Sequence, residues 1–130
     1  MIGLDTNVLV RYIVQDDANQ SAKATRLIES LTHEAPGYVG LVSVTELVWV
    51  LADSYSSAKN EIVEVLEGLL RTKGLLVENA DTVWRAVRMF KESKADFADC
   101  LIECAATKAG CDYTVTFDRG AAKHCGMRLL

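Results

Sequence analysis

The stretch MIGLDTNVLVRYIV, Met1–Val14, decides the fold. Met1 to Leu4 is a short apolar segment that ends at Asp5, after which Val8, Leu9, Tyr12 and Ile13 recur at helical spacing. A buried strand, a turn carrying a carboxylate and an amphipathic helix follow one another within fourteen residues.

The chain repeats that alternation. Ala24, Leu27, Ile28 and Leu31 form the next helical stripe, which Pro36-Gly37 stops. Tyr38 to Val42 is expected as a second strand, Leu75 to Val77 as a third, Tyr113 to Thr116 as a fourth and Met127 to Leu130 as a fifth. Helical stripes intervene at Val44–Leu51, Ile62–Leu70, Val83–Phe90 and Leu101–Lys108, the last closed by Gly110. Short apolar strands separated by helices predict an α/β domain with a mainly parallel sheet covered on both faces. Pro36 is the only proline and no repeat or linker is visible, so residues 1–130 read as a single domain.

Half of the residues are apolar, enough for one core burying roughly two-thirds of the unfolded chain's surface. No apolar run approaches the ~18 residues of a membrane span, and the N-terminus has no signal-peptide pattern, so a cytoplasmic protein is expected. Cys100, Cys104, Cys111, His124 and Cys125 could in principle hold zinc, but their spacing fits none of the usual paired knuckles; reduced, mostly buried thiols are expected instead. The formal charge of −4 runs against a dedicated nucleic-acid binder. That objection is met if acids gather where a cation binds.

The acids point that way. In open parallel sheets ligands bind beyond the carboxyl ends of the strands. Asp5 ends the first expected strand, Glu46 lies in the first turn of the helix after the second, and Asp118 follows the fourth by two residues. Asp96 and Asp99 open another helix and share one face of it. Carboxylates about 5 Å apart repel by roughly 3 kcal/mol per pair at an effective dielectric near 20, so a converging set calls for a cation. Hard oxygen donors suit Mg²⁺ or Mn²⁺.

Structural roles compete for the same residues. Ser43 and Glu46 form the S-x-x-E pattern of a capping box. Asp96 and Asp99 complement a helix dipole, and Asp118 before Arg119-Gly120 reads as a turn residue. Asp5 has no evident structural task. Spacing does not choose between Asp96 and Asp99 as principal ligand.

Four segments resemble the PIN-domain ribonucleases, in particular the toxins of VapB/VapC-type toxin–antitoxin pairs: Leu4-Asp5-Thr6-Asn7-Val8-Leu9, Ser43-Val44-Thr45-Glu46-Leu47, Ala95-Asp96-Phe97-Ala98-Asp99-Cys100-Leu101-Ile102 and Val115-Thr116-Phe117-Asp118. The resemblance implies a three-layer α/β/α sandwich and Mg²⁺-dependent RNA cleavage. It makes Asp5, Glu46, Asp99 and Asp118 the catalytic, metal-binding acids, with Asp96 as an additional ligand and Asn7 and Thr116 holding the first acid and the last loop in place. It also implies a cognate antitoxin and frequent homodimerisation. Arg119 and Lys123, just after Asp118, are the cations best placed to meet an RNA phosphate. Arg85, Arg88, Lys91 and Lys94 drift around their helix and read as solvated charge. Arg11 is expected to pair with an acid or to meet the antitoxin.

Two other classes fit less well. A phosphoacceptor signalling domain would carry paired acids after the first strand, where this chain has Asp5-Thr6-Asn7, and an acceptor Asp after the second, where it has none. A non-catalytic PIN-like binding module would keep the fold without using the acids.

Overall fold

In the computed structural model, which describes residues 1–130, two compact units share the chain, Met1–Glu78 and Asn79–Leu130. The first unit begins with β1 (Ile2–Gly3), α1 (Thr6–Val14) and α2 (Ala18–Ser30). It continues with β2 (Gly37–Val39), α3 (Leu41–Asp53), α4 (Lys59–Arg71) and β3 (Leu75–Val77). Its sheet has the order β1-β2-β3 and is parallel throughout, with Ile2 opposite Gly37 and Gly37 opposite Leu75. A helix pair forms each crossover, as a parallel pairing demands.

Local chemistry sets the breaks. The α1 helix stops where Gln15 adopts a left-handed backbone, φ 58°, and α2 restarts at Asp17, whose carboxylate accepts from the Gln20 N–H at 2.9 Å. Leu9, Val39, Val44, Leu47 and Leu66 are almost wholly removed from solvent and centre the unit's core. Each such side chain contributes roughly 1.5–3 kcal/mol of burial.

The second unit comprises α5 (Ala80–Glu92), α6 (Phe97–Ala109), β4 (Val115–Thr116), α7 (Arg119–Cys125) and β5 (Arg128–Leu129), with β4 parallel to β5. Val83, Val87 and Phe90 of α5 and Phe97, Cys100 and Leu101 of α6 are all buried. Phe90 meets Phe97 edge to face, 5.7 Å between centroids. Gly110 ends α6 at φ 95°, the left-handed stop expected of it.

The α/β class and parallel pairing agree with the sequence reading; the fourth and fifth strands are shorter than expected, Val115–Thr116 and Arg128–Leu129, and three further details differ. The expected strand Tyr38–Val42 ends at Val39, and Leu41 and Val42 instead open α3. Gly40 is the N-cap, and the carboxylate of Glu78, from just beyond β3, accepts from the Leu41 N–H at 2.9 Å. A carboxylate distant in sequence thus satisfies a helix-end donor that no local side chain caps. The second departure follows: with α3 starting at Leu41, Ser43 lies inside the helix and the Ser43–Glu46 capping box does not form. Glu46 is in the second turn, not the first. The third is α7, unexpected because its seven residues bury only Ala121 and Cys125. No helix is long and apolar enough to cross a membrane.

Candidate active site

Three of the five acids singled out in the sequence start a helix. Asp5 is the N-cap of α1 and accepts from the Thr6 N–H at 2.7 Å. Asp96 caps α6, accepting from Ala98 N–H at 3.0 Å. Asp118 caps α7, accepting from Ala121 N–H at 3.0 Å. Each cap stabilises its helix by about 1 kcal/mol. Asp5 therefore does have a routine structural task, contrary to the sequence reading. The cap also fixes where each carboxylate points, because one oxygen is committed to the helix end.

In the first unit, Asp5 and Glu46 line one cavity of about 420 Å³. The residue that connects them was not singled out in the sequence. Thr6 offers its N–H to Asp5 and its hydroxyl to Glu46 Oε1, the latter at 2.7 Å. Thr6 is buried while both acids are exposed. The only local signal was a hydroxyl residue directly after the capping Asp. Asn7, expected to hold the first acid, is exposed and lines the cavity instead. Arg11 is engaged by Asp16 at 3.0 Å, Gln20 at 2.7 Å and Tyr55 at 3.3 Å, which meets the expectation of an acidic partner. The same Asp16 carboxylate accepts from the Tyr55 hydroxyl, and that bond, with Arg11 beside it, holds the Asp16 carboxyl below its ordinary range.

In the second unit, Asp96, Asp99 and Asp118 act on one another. Asp99 is half-buried in the first turn of α6. Burial pushes its carboxyl up first, and the charges of Asp96 and Asp118 push it further the same way. No basic group is among the charges that act on it. The hydroxyl of Thr116, expected to hold the last loop, accepts from the Asp118 N–H at 3.0 Å. Arg119 and Lys123 lie exposed on α7, one turn apart. Arg85, Arg88, Lys91 and Lys94 are all exposed.

The donor chemistry fits a hard divalent cation. Every candidate ligand is a carboxylate, the two capping acids of the second unit each commit only one oxygen to a helix end, and Asp99 sits under the like charges of Asp96 and Asp118. Within each unit, no three His, Cys, Asp or Glu side chains are drawn together tightly enough to form a ready-made metal cluster. The thiols form none either: all four cysteines are free, and Cys100, Cys104 and Cys125 are buried.

Parallel βα units whose helix starts present carboxylates define a class of acid-centred α/β domains. The PIN domain family model matches residues 2–126, and the chain belongs to that family. Its parallel strands and covering helices are consistent with the family's three-layer α/β/α sandwich. The chain is also similar to the VapC ribonuclease of Aquifex aeolicus (strain VF5), with 26% identity over 117 residues, spanning 89% of this chain and 86% of that protein.

Proposed function

We propose that this chain is a Mg²⁺-dependent endoribonuclease, with Mn²⁺ able to substitute, and the toxin of a VapB/VapC-type pair. The observation that carries the reading is Asp99: a half-buried carboxylate under the like charges of Asp96 and Asp118, in a PIN-domain chain similar to a VapC ribonuclease. A site that disfavours its own charge is one that a divalent ion stabilises.

The proposed ligands are Asp5, Glu46, Asp96, Asp99 and Asp118, with Asp5, Glu46, Asp99 and Asp118 as the catalytic set. When bound, the ion supplies an acidified water and stabilises charge on the phosphoryl oxygens. The chain's residues aim the acids: the Thr6 hydroxyl orients Glu46, Thr116 braces the turn that carries Asp118, and the helix caps hold Asp5, Asp96 and Asp118. Arg119 and Lys123 supply positive charge for RNA phosphates beside Asp118. A cognate antitoxin silences the enzyme, the working state is a homodimer, and the compartment is the cytoplasm, where RNA is the substrate.

The test is cleavage of total RNA by the purified protein with Mg²⁺, repeated with EDTA and with Asp99→Asn. Cleavage that stops in both supports the proposal. Undiminished cleavage in either overturns the metal mechanism, and a folded protein that never cleaves RNA leaves a binding module.

A further inference from the structure

The cavity that holds Asp5 and Glu46 has a lining that the chemistry of those acids does not use. Trp49 stands on its wall, 64% exposed, one turn beyond Glu46 on α3, and Val42, 75% exposed, lies one turn before Glu46. Positions 42, 46 and 49 share a helix face. An outward face of this kind is ordinarily charged; here a bare indole stands beside a carboxylate.

Beyond the two acids that would hold the metal, the lining offers a phosphate nothing. It carries two carboxylates, and its one cation, Arg11, is already held by Asp16, Gln20 and Tyr55. Apart from the hydrogen-bonded Thr6 and Tyr55, what remains is a flat aromatic face, the amide of Asn7, the hydroxyl of Ser54 and the apolar side chains of Val10 and Val50, all uncharged. At about 420 Å³ the space lies within the range of small-molecule sites, roughly 300–1,000 Å³. A planar, uncharged heterocycle that stacks and hydrogen-bonds through its edge matches this set, and single-stranded RNA carries one on every nucleotide.

We propose that this cavity is a nucleobase subsite of the RNA substrate, with Trp49 stacking on a base next to the phosphodiester that the acids address, and Asn7 and Ser54 reading its edge. The proposal rests on the ribonuclease reading above. It makes Trp49 a substrate-contacting residue that sets which single-stranded positions are accepted.

The test is titration of the protein, in EDTA so that no cleavage occurs, with a short single-stranded oligoribonucleotide of mixed sequence. Tryptophan fluorescence and the anisotropy of a labelled oligonucleotide are followed together. Trp49 emission is expected to quench on binding, and the quench to vanish in Trp49→Phe with affinity largely kept. Trp49→Ala is expected to weaken binding about 5- to 100-fold. An abasic oligomer of the same length is expected to leave the fluorescence unchanged. An equal quench in Trp49→Phe, unchanged affinity in Trp49→Ala, or equal quenching by the abasic oligomer overturns the subsite. So does a Trp49→Ala variant that loses affinity only for a partner protein, which assigns the cavity to that protein. Mg²⁺-dependent cleavage by the wild-type chain is scored separately: cleavage without a quench rejects the subsite alone, and a quench without cleavage rejects the nuclease reading alone.

Discussion

The Thr6 hydroxyl donates to Glu46 Oε1 at 2.7 Å and so ties the first turn of α1 to the second turn of α3. A buried residue thereby sets the direction of an exposed carboxylate. Thr6→Val keeps the shape and removes the donor. It is expected to cost about 1 kcal/mol of stability and to lower the proposed Mg²⁺-dependent cleavage by roughly 10- to 100-fold, the range for a group that orients a ligand. Thr6→Ser is expected to recover most of both. Thermal melts and cleavage rates on the two variants decide it; equal rates in Thr6→Val and wild type would remove Thr6 from the site.

Asp118 holds two roles that substitution can separate. Asn caps a helix about as well as Asp, so Asp118→Asn is expected to melt near wild type while cleavage falls by about 100-fold or more, the order for losing a charge-stabilising group. Asp118→Ala is expected to lose the same activity and in addition about 1 kcal/mol of stability. If Asp118→Asn retains full activity, the residue is a cap and nothing more.

Gly74 is fixed by a neighbour, not by its backbone angle. A Cβ there would sit 2.7 Å from the carbonyl oxygen of Leu31, main-chain atoms that cannot swing aside, while the Gly74 carbonyl accepts from the Gly37 N–H at 2.8 Å. Gly74→Ala is expected to destabilise the fold by about 1–3 kcal/mol, read as a lower denaturation midpoint with an unchanged slope.

Burial pushes the Cys100 thiol up to about 12 and raises Cys104 and Cys125 as well, while Cys111 is exposed. Thiolate is the reactive form, so brief alkylation of the native protein is expected to label Cys111 alone, and denaturation to open all four cysteines. The sign for stability follows. The unfolded chain ionises these thiols in the ordinary range and the folded chain only well above it, so stability is intact below about pH 8 and declines as the pH climbs towards 12. A Cys100→Ala variant should show a shallower alkaline decline in melting temperature than wild type.

Much of this architecture could be read from apolar spacing, because six helices carry stripes of large side chains and Gly110 marks an end by its own backbone preference. The failures have two separate causes. The start of α3 depends on Glu78, far along the chain, and α7 buries too few residues to leave a periodic trace. At the candidate site, the positions of Asp5, Asp96, Asp99 and Asp118 were legible because each follows a strand or lies at the start of a helix, whereas Glu46 falls one turn deeper in α3 than expected. Their aim was not. The bond from Thr6 to Glu46 spans forty residues, and the burial that raises Asp99 arises only once the chain is folded.

The caps at Asp5, Asp96 and Asp118 couple the aim of each acid to the first turn of one helix. Helix ends fray at far lower free energy than whole domains unfold. The fraction of molecules with these acids aimed for the proposed cation therefore follows the local opening of α1, α6 and α7, and α7, at seven residues, has the least length to resist it. Warming or mild denaturant should thus scatter these carboxylates, and extinguish whatever depends on them, while the remainder of the fold is still intact.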